Sequence, residues 1–375
     1  MTSTKKDPIL VVLQLTGGND YLNTIIPYGD PLYYDNRANV SIPQDRVLPI
    51  DDRFGFNPSL APIKNLYDQG KVAIINGIGY PVPNRSHFRS MDIWHTCEPD
   101  KVGTEGWLGR VIRDLDPRGE NVLTGVNFGR GLPRALALTG VPVASVSVLE
   151  TYGVLTGITQ EPDRSEALDV FARMYAPAAG TGPVMDYLGQ TGLDALKGAD
   201  ILKTAPQKYH SSVEYADSPI GRNLQGIAKV LLADLGTRVF YTQHGGFDTH
   251  ANQGPTHPKL WTDVSQAVTD FLADLREHDA ADNVLMFVFT EFGRRVKDNG
   301  SGTDHGSGGV AFAIGDPVKG GMYSEYPSLK EGDLLEGDLH FNIDYRGVYG
   351  TMVEKWLGLD ATPVVGGNFE QLSFV

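Results

Sequence analysis

The sequence predicts an α/β fold, with a mostly parallel sheet covered by helices on both faces. Three observations carry this. Apolar runs of strand length at residues 9–15, 72–75, 239–242 and 284–290 hold few polar residues, as strands buried on both faces require. Amphipathic stretches of helical spacing separate several of these runs, and strand–helix–strand alternation implies parallel strands joined by right-handed crossovers. Several runs also end in clusters of glycine, aspartate, glutamate and histidine. Sites in open α/β sheets form at the carboxyl ends of the strands.

The elements follow in order. The first strand, at residues 9–15, comes directly after a short polar start. Residues 30–57 are rich in proline, aspartate and asparagine and read as mostly loop. Leu60, Ile63, Leu66 and Tyr67 fall at helical spacing, with Gly70 as C-cap. A second strand occupies 72–75. Pro81 and Pro83 block regular structure ahead of a helix that begins near Ser86. Residues 121–128 and 141–148 read as further strands. Residues 164–200 change texture, with helical apolar patterns broken by Ala-Pro-Ala-Ala-Gly-Thr-Gly-Pro. Together with its flanks, 150–218, this stretch reads as a helical cap inserted into one domain spanning 1–375. A helix at 219–235 returns the chain to a strand at 237–242. A second helix, at 260–278, crosses to the strand at 284–290. Another apolar run covers 310–314, and a helix at 344–357 closes the chain. Internal repeats and low-complexity segments are absent.

Composition narrows the function classes. A chain of 375 residues can bury one large core or two smaller ones. Its net charge of −14 argues against nucleic acid or an anionic membrane as main partner. A local cationic pocket for a small anionic substrate remains compatible with it. The single cysteine, Cys97, has no internal disulfide partner, and His95 two residues away falls on another helix face. No apolar run approaches the ~20 residues of a membrane helix, so no membrane span is expected. No secretory signal precedes the first strand. The chain as it stands therefore reads as cytoplasmic, and as exported if a signal was removed from it.

The chemistry-bearing residues sit at the strand ends. Gln243-His244-Gly245-Gly246-Phe247-Asp248-Thr249-His250 follows an apolar run. The glycines permit a sharp turn, after which a hard oxygen ligand and a borderline nitrogen ligand emerge two residues apart. Glu291-Phe292-Gly293-Arg294 and Thr16-Gly17-Gly18-Asn19-Asp20 end other runs, and Asp304-His305-Gly306 lies in a glycine-rich loop. Asp20, Asp248, His250, Glu291, Asp304 and His305 are therefore expected to converge on a divalent metal, whether zinc, manganese, calcium or magnesium. Each has a plainer reading: a turn former for Asp20, an N-cap for Asp248, a surface histidine for His250, a flexible loop for Asp304 and His305, and a salt bridge to Arg294 or Arg295 for Glu291. His244 is a further metal candidate on the same turn, with a packing role or a place behind the ligands as its plainer reading. Ser86 is the candidate nucleophile or, equally in place, a helix N-cap. His87 could act on the leaving group. Arg85 and Arg294 are candidate oxyanion clamps, or members of ordinary ion pairs. Asp344 and Arg346 read as a cap and ion pair at the last helix.

These blocks, in the order Gly17-Gly18-Asn19-Asp20 with Asn23, Arg85-Ser86-His87-Phe88, Gly246-Phe247-Asp248-Thr249-His250, Glu291-Phe292-Gly293-Arg294, Gly302-Thr303-Asp304-His305-Gly306 and Asp344-Tyr345-Arg346, resemble the bacterial family known as domain of unknown function 1501. That family is grouped with the alkaline-phosphatase-like superfamily. The resemblance implies a doubly wound α/β sandwich, one or two divalent metals at the strand ends, and hydrolysis or transfer at phosphorus or sulfur. It also implies a twin-arginine export signal, which this chain lacks. Two departures stand out. Where sulfatases carry a Cys or Ser nucleophile before x-Pro-Ser-Arg, this chain has Pro81-Val82-Pro83-Asn84-Arg85. Where many relatives carry Asp-His, it has Glu291-Phe292. The leading expectation is a metal-dependent hydrolase of a phosphate or sulfate ester. The alternatives are a non-catalytic binding or assembly protein with a degenerate metal site and, less favoured, a transferase or mutase.

Overall fold

The computed structural model describes residues 6–152, 183–202 and 204–375, with residues 163, 166, 167, 169, 170 and 173 between them. In chain order the described strands are β1 (Ile9–Thr16), β2 (Ile25–Ile26), β3 (Leu48–Pro49), β4 (Gly55–Phe56), β5 (Val72–Gly79), β6 (Gly125–Phe128), β7 (Ala144–Val146), β8 (Val239–Gly245), β9 (Val284–Phe289), β10 (Gly309–Ile314), β11 (Gly321–Tyr323) and β12 (Ile343–Asp344). The main sheet runs β11-β5-β10-β9-β1-β8-β6-β7, with β12 added to β5. All its pairings are parallel except those of β10, which is antiparallel to both β5 and β9. The four expected strands thus share one mostly parallel sheet.

Both faces of that sheet are covered. In β1 the side chains alternate between two cores. Leu10 and Val12 face Trp94, Trp107 and Tyr349, which come from the helices His87–Thr96, Trp107–Leu115 and Tyr345–Thr351. Val11 and Leu13 face Leu66, Leu224, Trp261 and Phe271, from the helices Ala61–Asp68, Pro219–Leu232 and Gln253–Glu277. Each fully buried aliphatic or aromatic side chain contributes about 1.5–3 kcal/mol. A strand buried on both faces is therefore a firm base for a loop at its end. Among the described residues, no helix is long and apolar enough to cross a membrane.

Several elements differ from expectation. Residues 30–57 are not all loop. They include the helix Pro31–Asn36, capped by Asp30, and strands β3 and β4, which complete a small sheet with β2. Strands of two residues leave no periodic signal. The helix expected from 260 begins at Gln253 and includes Pro258. Its first turn is held by Ser301, whose carbonyl accepts from Gln253 N at 3.0 Å. The expected strands at 121–128 and 141–148 shorten to β6 and β7. The helix expected at 344–357 ends in a π-helical turn, Met352–Trp356, and a further short helix, Thr362–Val365, follows it. Of the expected cap at 150–218, residues 153–162 and 174–182 lie outside the described residues. Its described helix Pro183–Leu202 lies against the main body, where Lys197 Nζ donates to the Glu120 carbonyl at 3.2 Å.

Candidate metal centre

Topology brings the strand ends together. β1 and β8 finish in register, with Thr16 opposite Gly245, and β1 lies beside β9. The turn after β1 touches the turn after β8. Gly17 has a φ of +120°, and a Cβ there would lie 2.3 Å from Asp248 N, so only glycine fits. β10 runs against its neighbours, so the loop preceding it reaches the edge where β1, β8 and β9 end. That loop pairs with the segment after β9. Arg295 N donates to the Asp304 carbonyl at 3.0 Å, and Gly293 N to that of Ser307 at 2.7 Å. His305 is thereby set beside Asp248.

Three imidazoles surround Asp248. The Nε2 atoms of His250 and His305 each lie 3.0 Å from Asp248 Oδ1 and 2.9 Å from one another. His87 Nε2 lies 3.5 Å from Asp248 Oδ2. The opposite nitrogen of each ring has its own acceptor. His87 Nδ1 donates to Glu291 Oε1 at 2.8 Å, His250 Nδ1 to Asp304 Oδ1 at 3.0 Å, and His305 Nδ1 to the Arg85 carbonyl at 2.8 Å. With its Nδ1 proton so engaged, each ring in its neutral form would present an Nε2 lone pair. Lone pairs this close to one another and to a carboxylate repel unless a proton or cation lies between them. Ligands about 2.0–2.2 Å from one ion stand roughly 3 Å apart, which matches this spacing. His87 Nε2 is buried and makes no hydrogen bond among the described residues. His87, Asp248 and His305 alone bring three ligand atoms within 4.8 Å of one another. The donor set therefore fits a divalent cation.

Electrostatics agree with the geometry. Burial acts to raise the Asp248 carboxyl, but the Arg294 guanidinium, with the His305 and His250 imidazoles beside it, outweighs it and holds the group at about 2. The hydrogen bond from His250, followed by that from Asn299, lowers Asp304. The Glu291 hydrogen bond raises His87 against the opposing effect of burial.

The expected residues fall into three groups. Asp248, His250 and His305 come together with their ligand atoms facing, and His87 joins them rather than standing apart as a leaving-group acid. Glu291 and Asp304 stand one step back and orient imidazoles, as carboxylates behind metal-binding histidines do. Glu291 also accepts from Gly17 N at 2.9 Å and Thr290 Oγ1 at 3.0 Å, so its oxygens are occupied. Asp20 departs from the expectation. It is fully buried, Arg37 donates to both its oxygens at 2.6 and 2.9 Å, and Gln253 Nε2 adds a third bond at 2.6 Å.

The catalytic candidates also need correction. Ser86 occupies the N-cap position of His87–Thr96 but is exposed, and its side chain makes no cap bond. The Arg85 guanidinium is paired with buried Asp338, through Nε at 2.8 Å and a terminal nitrogen at 2.7 Å, and only its carbonyl serves the site. Arg294 is fully buried. It donates to the carbonyls of Gly17, Gly18, Phe247 and Thr303 and to Asp248 Oδ1, so it is a strut between loops rather than a free clamp. Phe292 packs against the rings of His87 and His305 at centroid distances of 4.9 Å. Sequence reasoning missed Arg37, Gln253 and Asp338, which are loop or helix residues with no local signal. Cys97 is buried, and burial pushes its thiol up to about 12, so it offers no thiolate.

The centre opens into a cavity of about 880 Å³. Asp248, Glu291 and His87 line it, and Gln14, His95 and Gln243 contribute further polar groups to its lining. Ser86 is not among the lining residues, and the hydroxyl that lines it is that of Thr16.

No curated protein matches the chain. Among solved structures it is similar to a 2-O GAG sulfatase, at 10% identity and a TM-score of 0.41, covering 98% of this chain and 76% of that one. It is similar to a protein in the alkaline phosphatase superfamily from Vibrio parahaemolyticus, at 9% identity and a TM-score of 0.39, covering 97% and 70%. A third is the C-terminal periplasmic domain of EcEptC from Escherichia coli in complex with Zn, at 8% identity and a TM-score of 0.38, covering 84% and 75%. Over residues 193–364 the chain matches the family described as "Protein of unknown function (DUF1501)", the family its motifs resemble.

Proposed function

We propose that this protein is a metal-dependent hydrolase of phosphate or sulfate esters. One observation carries the reading. Three imidazoles turn their Nε2 atoms toward one carboxylate, each with its Nδ1 proton already engaged by Glu291, Asp304 or the Arg85 carbonyl. Asp248, His87, His250 and His305 would hold the ion. A donor set this rich in imidazole suits zinc better than magnesium or calcium, which take oxygen ligands. A bound divalent cation supplies Lewis acidity toward the ester oxygens and activates water for attack.

The remaining roles belong to the chain. Arg294 keeps Asp248 ionised and ties it to the turn after β1. Glu291 and Asp304 fix two ring orientations, and the Arg85 carbonyl fixes the third. The cavity is large enough to admit the ester. Ser86, exposed and outside the cavity lining, is not given the role of nucleophile, so water is the attacking group.

The test is chelation followed by zinc reloading, with hydrolysis of 4-nitrophenyl phosphate, bis(4-nitrophenyl) phosphate and 4-nitrophenyl sulfate as readout. Cleavage of at least one ester should appear only in the reloaded protein. Asp248→Ala should lose both metal and turnover. Tight metal retention with no cleavage of any ester would favour a binding protein, a reading to which the absence of a serine from the cavity lining also leans. Failure to take up any divalent metal would sink the metal centre itself.

A further inference from the structure

The cavity beside the candidate metal centre has several exposed apolar residues in its lining. Phe88 lines it and is 92% exposed, and Val102 lines it and is 70% exposed. Met91 and Pro133 continue the same wall, and Leu132, next in sequence to Pro133, is itself an exposed large apolar residue. Isolated exposed apolar residues are ordinary, but a contiguous apolar patch marks a binding surface. This patch flanks the candidate metal ligands, since Phe88 directly follows His87 in the first turn of the helix His87–Thr96.

Charge in the same cavity is already spent. Its two arginines, Arg89 and Arg134, both pair with Asp92 and also donate to backbone carbonyls. The polar groups beyond them are neutral: the amides of Gln14 and Gln243, and His95, whose Nε2 lies 3.0 Å from Gln14 Oε1. Burial drives the His95 imidazole down to about 3, so it carries no charge near neutrality. A polyanionic sugar would find no uncommitted cation among these lining residues and would place its hydroxyls against Phe88 and Val102.

We propose that the organic half of the substrate is an uncharged aromatic alcohol, held by its ring against Phe88, Met91 and Val102 while its esterified oxyanion lies at Asp248. The assignment rests on the hydrolase reading for the reaction, but on the wall alone for the ring. Aromatic faces pair favourably with an aromatic ring beyond the burial of area. Cavities of roughly 300–1,000 Å³ suit small-molecule ligands, and this one lies within that range. In hydrolysis, the oxygen of water would end on phosphorus or sulfur as the ester bond breaks. A proton from water would end on the departing aryloxide, leaving the alcohol in the apolar half.

The experiment measures binding of 2-naphthol to the zinc-reloaded full chain by fluorescence titration. Methyl galactoside serves as the polyhydroxylated contrast, and hydrolysis of 2-naphthyl phosphate and sulfate is followed on the same samples. The naphthol should bind and the galactoside should not. Phe88→Ala and Val102→Ser should each weaken naphthol binding roughly tenfold. Both positions are exposed, so these variants should retain the fold. Absence of naphthol binding, equal affinity in wild type and Phe88→Ala, or galactoside binding as tight as that of naphthol would overturn the assignment. Naphthol binding lost through Phe88→Ala, with no hydrolysis of either ester, would uphold the aromatic wall and sink only the hydrolase reading.

Discussion

The turn after β1 and the turn after β8 look alike in sequence and behave as opposites. Each follows a buried strand, each contains two adjacent glycines, and each delivers an aspartate within three residues of them, Asp20 in one and Asp248 in the other. Asp20 is enclosed and saturated by Arg37 and Gln253. Burial alone would raise its carboxyl, but Arg37, then His257 and Gln253, hold it below the usual range. Asp248 stays exposed, with imidazole nitrogens within reach of both its oxygens. The lesson is that a strand-end carboxylate can serve as a ligand only if distant segments leave lone pairs of it free. Arg37, from a loop, removes Asp20 from that role. Arg294 engages Asp248 on one oxygen and leaves the other facing His87.

The largest expected effect separates the two aspartates by stability. Asp20→Ala leaves the Arg37 guanidinium buried without its carboxylate, which should cost about 3–5 kcal/mol in guanidinium denaturation. Asp248→Ala should cost much less, because Arg294 keeps its carbonyl acceptors. Equal losses in the two variants would break the comparison. A smaller effect tests the orienting carboxylates. Asp304 is exposed, so Asp304→Ala should spare the fold yet lower metal affinity about 10–100-fold by freeing the His250 ring. Chelator competition against wild type measures it, and unchanged affinity would remove Asp304 from the site.

The smallest effect contrasts exposed histidines with buried ones. Burial depresses His95 to about 3 and His257 to about 4. An unfolded imidazole takes its proton near 6.5. Between these values the unfolded chain holds the extra proton, so this contribution is complete above about 6.5 and is lost as pH falls toward 3. The denaturation midpoint should therefore drop between pH 7.5 and 4.5, and drop less in His95→Gln. Parallel pH dependences would show that His95 is not held neutral in the folded state.

Much of the fold was legible because burial on two faces writes itself into composition. Runs such as Val284 to Phe289 have no polar partner to offer and read directly as inner strands. The short strands β2, β3 and β4 were not legible, since two residues carry no period. The site was legible as a set of residue types at strand ends, but the distribution of roles was not. His87 was singled out for a different task, Glu291 and Asp304 sit behind imidazoles rather than at the centre, and the Arg85 carbonyl replaced the guanidinium expected to act.

By itself the sequence determined that the long apolar runs would be inner strands, that their carboxyl ends would carry acidic and histidine groups, and that glycines would let the chain turn there. Only the tertiary structure decided which of those groups meet. The antiparallel direction of β10 is the clearest case. In a parallel strand, a loop preceding it would lie at the far edge of the sheet, and Asp304 and His305 would be a strand length away from Asp248. Reversal of that one strand carries them to the shared edge. Strand direction is set by how the connecting segments cross and pair, not by the apolar period of the strand itself.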